Sequence, residues 1–92
     1  MLLQIITPQK TIFEGDVNLV TIPGKNGSFQ IKKDHAPIVS SLSEGKVVFK
    51  TNSNLELSDE SSFEVNNDGE YSFLIKDGIL EMKNNKIILL AE

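Results

Sequence analysis

The chain has 92 residues, with 13 acidic side chains against nine lysines and neither cysteine nor tryptophan. A single domain of this size buries only about 60–65% of the surface its unfolded chain exposes, which leaves little room for a deep enclosed active site. The lack of cysteine excludes a disulfide framework, a thiolate metal site and a cysteine nucleophile, and fits a reducing compartment.

No apolar run is long enough for a membrane-spanning helix. The N-terminus lacks the basic and long apolar regions of a secretory signal, so a soluble intracellular protein is expected. The net charge of −4 is unevenly placed. Residues 1–50 carry six lysines against four acids, and residues 51–92 three lysines against nine acids. An acidic second half disfavours nucleic-acid binding, which needs a basic face to displace counterions.

In chain order, Leu2 to Ile6 is apolar almost throughout, the pattern of a strand covered on both faces, central in a sheet or at an interface. Pro23-Gly24 and Asn26-Gly27 then bracket a tight connection. Phe29 and Ile31 alternate with polar residues, which places their side chains on one face of a strand. Lys32 to Pro37 interrupts the alternation, and Pro37 pushes Ala36 toward an extended conformation. Glu44-Gly45 marks a further turn.

Beyond it, the period of two resumes at Val47 and Phe49, then at Leu55 and Leu57, and at Phe63 and Val65. Ser58 to Ser62 forms a polar, acidic bend. Tyr71, Phe73 and Ile75 form the next run, and Leu80 and Met82 another. Asp68-Gly69 and Asp77-Gly78 are pairs suited to the positive φ of type I′ hairpin turns, and Asn84-Asn85 accepts the same geometry less readily. Ile87 to Leu90 closes the chain as a second continuously apolar strand. The pattern is that of a single all-β domain over residues 1–92, with nine or ten short strands.

Candidate chemistry is thin. His35 beside Asp34 has the residue types of a general base, but no second histidine or nucleophile signature accompanies it. Ser40, Ser41 and Ser43 lack a Gly-x-Ser-x-Gly elbow. Gly24-Lys25-Asn26-Gly27 lacks the spacing of a phosphate-binding loop and no helix follows it, so it reads as a turn. Asp59-Glu60 and Asp68-Gly69-Glu70 lack the pattern of a calcium loop. No catalytic, metal or cofactor site is expected.

Three stretches taken together resemble the epsilon subunit of F-type ATP synthases. The opening, Leu3-Gln-Ile-Ile-Thr-Pro followed by Ile12-Phe13-Glu14-Gly15, is similar to its first two strands. Ile22-Pro23-Gly24 with Gly27 is followed at the family's interval by His35-Ala36-Pro37, its most recognisable feature. Gly78-Ile79-Leu80-Glu81-Met82, Asn84-Asn85-Lys86 and Leu89-Leu90-Ala91-Glu92 resemble the closing strands.

The resemblance implies a flattened β-sandwich of about ten strands in the central stalk, between the gamma subunit and the c-ring. It implies a non-catalytic role in proton-coupled ATP synthesis, peripheral to the membrane on the cytoplasmic face of the bacterial inner membrane, without insertion. The turn from Lys25 to Ser28 and the loop from Lys32 to Ala36 correspond to the family's c-ring-facing end. Thr7, His35 and Ser40 fall where the family lies near gamma or the ring. The partner-binding residues expected on this ground are Thr7, Lys25, Asn26, Ser28, Lys32, His35 and Ser40. An apolar patch is expected where gamma docks, since interface cores are more apolar than ordinary surface.

Two departures from the family carry expectations of their own. The inhibitory C-terminal helical hairpin does not follow Glu92, so neither inhibition by it nor ATP binding is expected, and a naturally short form is slightly favoured over a truncation. Residues 52–70 are longer and more acidic than the family's connection and are expected to add a hairpin, with Leu55, Leu57, Phe63 and Val65 on one face. The competing reading is a free-standing ligand- or carbohydrate-binding β-sandwich. Tyr71, in phase with Phe73 and Ile75, argues for core rather than a sugar platform. A small β-fold enzyme lacks any paired catalytic residues.

Overall fold

A computed structural model describes residues 1–51, 63–66 and 68–92. Its strands are β1 (Leu2–Ile6), β2 (Thr11–Gly24), β3 (Gly27–Lys32), β4 (Ile38–Leu42), β5 (Gly45–Thr51), β6 (Phe63–Val65), β7 (Glu70–Ile75), β8 (Gly78–Lys83) and β9 (Lys86–Ala91). No helix occurs among the described residues, and the all-β expectation is met. Leu55 and Leu57, and most of the expected acidic hairpin, lie outside the described residues.

The strand β2, 14 residues long, organises the whole fold. Its first half pairs antiparallel with β1, and its second half lies between β3 and β5. Phe13 and Val17 are buried in the first half, Val20 and Ile22 in the second. Apart from Ile12, buried beside Phe13 at the start of the strand, the buried set therefore changes from odd to even positions. The pairing with β5 shifts register between Val17 and Leu19. One inserted residue turns the following side chains to the opposite face, so a single strand serves two layers.

One layer holds the first half of β2 with β1, β9, β8 and β4. The other holds β3, the second half of β2, β5, β7 and β6, and the two belong to one continuous nine-stranded sheet, joined through β2 and by the pairing of Gly24 at its end with Leu42 of β4. Within the first layer β1 runs parallel to β9 and antiparallel to β2. The inner faces meet over Leu3, Ile5, Ile22, Ile31, Leu42, Leu80, Met82, Ile87 and Leu89, all buried. Each such side chain contributes roughly 1.5–3 kcal/mol by leaving water.

One end of the core is aromatic. Phe13 lies 4.6 Å from Phe49 between ring centroids, and Tyr71 stacks on Phe49 at 5.7 Å. Phe63 closes on Phe73 at 5.3 Å. Tyr71 is thus packed against the core, as its phase predicts. Val65 shares a face with Phe63 by alternation, yet it is 57% exposed at the end of a three-residue strand.

The turns correct one expectation. Asn84 and Asn85, with φ of 53° and 59°, both occupy the left-handed region and join β8 to β9, as a type I′ turn requires. Asp77-Gly78 does not form such a turn. β7 and β8 lie in different layers, so the pair marks a crossover and not a hairpin. Gly78 is needed for space, since a Cβ there would meet the carbonyl oxygen of Leu90 at 2.5 Å. Residue 92 clasps this crossover: the Lys76 amide donates to the Glu92 carbonyl and the Glu92 amide to that of Asp77.

Candidate docking face

Alternation in the first layer sends Leu80, Met82, Ile87 and Leu89 inward, and sends their neighbours to the opposite surface. The register lines these neighbours up across the strands. Val39 stands opposite Glu81, Glu81 opposite Ile88, and Ile88 opposite Gln4. In the adjacent row Ser41 faces Ile79, Ile79 faces Leu90, and Leu90 faces Ile6. Cross-strand partners lie about 4.5–5.5 Å apart at Cβ, so Val39, Ile79, Ile88, Leu90 and Ile6 form one contiguous apolar surface.

This surface is open to water. Val39 is 68% exposed, Ile79 45% and Leu90 47%, and Ile88 and Ile6 are half-buried. A shallow depression of about 230 Å³ runs between Val39, Ile79, Glu81, Ile88 and Leu90. A second of about 270 Å³ continues past Leu90 to Ile6, Thr7 and Pro8. The outer face of the other layer differs. Its exposed Leu74 stands opposite Lys46, and Lys46 pairs with Glu64 at 3.4 Å. The run from Ile87 to Leu90, expected to be covered on both sides, central in a sheet or at an interface, is therefore covered on one side in the isolated chain.

The expected site residues divide into groups. Lys25, Asn26, Ser28 and Ser40 line one groove of about 620 Å³, together with Gly24, Phe29, Val39 and Ser41. This groove adjoins the apolar face through Val39. Its wall is built by the β2–β3 turn, fastened to β4 by the Lys25 amide donating to the Ser41 carbonyl. Ser28 Oγ donates to the Ile22 carbonyl at 3.3 Å. Ser40 is half-buried on the inner side of β4, and its hydroxyl bonds the Ser41 carbonyl. Thr7 borders the far edge of the apolar face, where its amide and hydroxyl both donate to the Lys10 carbonyl and close the β1–β2 turn.

Lys32 and His35 are not brought to the groove. Lys32 ends β3 and His35 follows it, at the far end of the strand from the Lys25–Ser28 turn, about 17 Å from Gly27 at roughly 3.3 Å per residue. The His35 ring Nδ1 lies 2.7 Å from the Ala36 carbonyl. The loop itself is tied down by Asp34: its amide donates to Asn85 Oδ1 at 2.6 Å, and Asn85 Nδ2 donates back to Asp34 Oδ1 at 2.7 Å. Among the described residues no group of three or more His, Cys, Asp and Glu is placed to hold a metal ion.

Val39, Ile79, Ile88 and Leu90 are absent from the residues expected on sequence grounds. The continuous run from Ile87 to Leu90 held the signal for two of them. Val39 and Ile79 join the patch only through the pairing of strands distant in sequence.

Comparison with known proteins accounts for this geometry. A sequence profile of the family described as "ATP synthase, Delta/Epsilon chain, beta-sandwich domain" matches residues 1–92. The ATP synthase epsilon chain of Chlorobaculum tepidum is 44% identical over 90 residues, covering 98% of this chain and 86% of that one. The epsilon chain of Chlorobium limicola is 46% identical over the same length and coverage. That of Salinibacter ruber is 36% identical, and this chain spans 55% of it. In fold, a chain in the structure of the Tetrahymena thermophila mitochondrial ATP synthase central stalk and c-ring superposes with a TM-score of 0.75 at 17% identity, covering 99% of this chain and 62% of that one. With both the two-layered strand sandwich and the sequence agreeing over its whole length, the chain belongs to the family of ATP synthase epsilon chains.

Proposed function

We propose that this epsilon chain is a non-catalytic central-stalk subunit of an F-type ATP synthase, docking on the gamma subunit through the outer face of β1, β9, β8 and β4. The observation that carries the reading is the apolar surface of Val39, Ile79, Ile88, Leu90 and Ile6, set on one layer while the other layer's outer face mixes charge with an isolated leucine. Contiguous exposed apolar patches mark interaction surfaces, and such a patch with a polar rim has the anatomy of an interface core. Thr7, at the margin of the patch, belongs to the same contact, and Ser40, on the inner side of β4, lines the adjoining groove.

The exposed turn from Lys25 to Ser28 is the element we assign to the c-ring. It projects beside the gamma-facing surface and carries a free-standing lysine and amide suited to polar loops. Lys32 and His35, at the other end of β3, would meet a different part of the assembly. The subunit holds gamma and ring in register so that ion flow turns the rotor. It makes and breaks no bond, and it is peripheral to the membrane, on the cytoplasmic face of a bacterial inner membrane. The ligand-binding alternative has no supporting observation, since Tyr71 stacks within the core.

Size-exclusion chromatography of the chain mixed with gamma from the same organism tests the reading. A one-to-one complex is expected, weakened at least tenfold by Val39→Asp. A folded wild-type chain that fails to co-elute with gamma at any salt concentration contradicts it.

A further inference from the structure

Glu81 lies in the middle of the apolar face. Its cross-strand neighbours are Val39 on β4 and Ile88 on β9, and Ile79 precedes it by two residues on the same side of β8. Its side chain is exposed, and among the described residues the carboxylate has neither a hydrogen bond nor an ion pair. Lys83, two residues further along the same face, and Lys86 opposite it line a depression with Glu81 and Ile88, but neither lysine forms a salt bridge with Glu81. In the isolated chain, water solvates this carboxylate.

Docking removes that water. Taking a carboxylate out of solvent with nothing to meet it costs more than the surrounding apolar contacts return, unless a cation and further donors replace the lost hydration. We propose that the partner docked on this face carries a single basic side chain that meets Glu81 inside an otherwise apolar contact. The inference rests on the docking reading above and adds the chemistry of the partner's surface. A guanidinium suits the position best, because its planar fork satisfies both carboxylate oxygens at once. The same charge selects against wrong partners: a wholly apolar surface leaves the carboxylate buried and unpaired. A second copy of the chain, docked about a two-fold axis through the patch, brings two carboxylates together.

Titration calorimetry with purified gamma separates the two levels of the argument, using Glu81→Gln, Glu81→Lys and Val39→Asp. Circular dichroism first establishes that each free variant is folded. Glu81→Gln is expected to weaken binding at least tenfold and Glu81→Lys at least a hundredfold. The Glu81→Gln deficit should change little as ionic strength rises, because a desolvated pair is screened much less than an exposed one. Unchanged affinity for Glu81→Gln, with Val39→Asp still disruptive, overturns the paired cation and leaves the docking face standing. Unchanged affinity for all three variants overturns the docking face as well.

Discussion

At the scale of single residues, Asn85 does more than turn a hairpin. Its left-handed backbone joins β8 to β9, its carbonyl accepts the Leu2 amide at 2.9 Å, and its side chain exchanges two hydrogen bonds with Asp34. One residue therefore joins the last hairpin, the first strand and the His35 loop. Replacing it separates these contributions. Asn85→Gly keeps the backbone conformation and loses the side-chain bonds, at about 1 kcal/mol. Asn85→Ala loses the bonds and also places a Cβ in the left-handed region, which brings the total to about 2 kcal/mol. Urea denaturation of the two variants checks this: equal losses would mean that the left-handed backbone carries no cost, and an unchanged Asn85→Gly that the side-chain bonds contribute nothing.

Gly78 shows where residue-level reading stops. Asp77-Gly78 has the composition of a hairpin turn, and composition carries no information about whether the flanking strands pair. The glycine is required because the Leu90 carbonyl from a neighbouring strand occupies the space of a Cβ. Such a contact depends on register between strands, which residue identity alone does not specify.

At the scale of elements, β9 presents two faces with opposite fates. Leu89 is fully buried, and Leu90 beside it is 47% exposed on the candidate docking face. Leu89→Ala is expected to cost about 2–5 kcal/mol by opening a cavity in the core. Leu90→Ala should change the stability of the free chain by less than about 0.5 kcal/mol while weakening partner binding. Thermal unfolding of both variants, with gamma and without, distinguishes these roles; equal destabilisation of the free chain by both would place Leu90 in the core.

The run from Ile87 to Leu90 was legible as a strand without a polar face, because apolar residues fill every position; the fold covers one of its faces and leaves the other exposed. Alternation likewise made β3, β5, β7 and β8 legible, with Tyr71 correctly in phase with the core. The long β2 was harder. Its buried positions change parity after Val17, and a pattern that breaks phase looks like two short strands rather than one that crosses between layers. The docking face was legible only in part, since Val39 and Ile79 are single hydrophobic residues in their own segments. They become a patch when β4, β8 and β9 are laid side by side. The expected site residues were positioned by resemblance, and the fold gathers Lys25, Asn26, Ser28 and Ser40 while leaving Lys32 and His35 a strand's length away.

At the scale of the whole molecule, the sandwich has one apolar outer face, one polar outer face and a basic turn beside the former. The proposed stalk role calls for broad complementary contact rather than a pocket, and the described surface offers shallow depressions that suit this. The chain's lack of cysteine makes the central claim directly measurable, because each introduced thiol is then unique. The measurement is the maleimide labelling rate of Val39→Cys, Leu90→Cys and Leu74→Cys, in the free chain and in its complex with gamma. All three are expected to label readily when free, and binding is expected to slow the first two at least tenfold and leave the Leu74 position unchanged. Protection of the Leu74 position, with positions 39 and 90 labelling as fast in the complex as in the free chain, would contradict it.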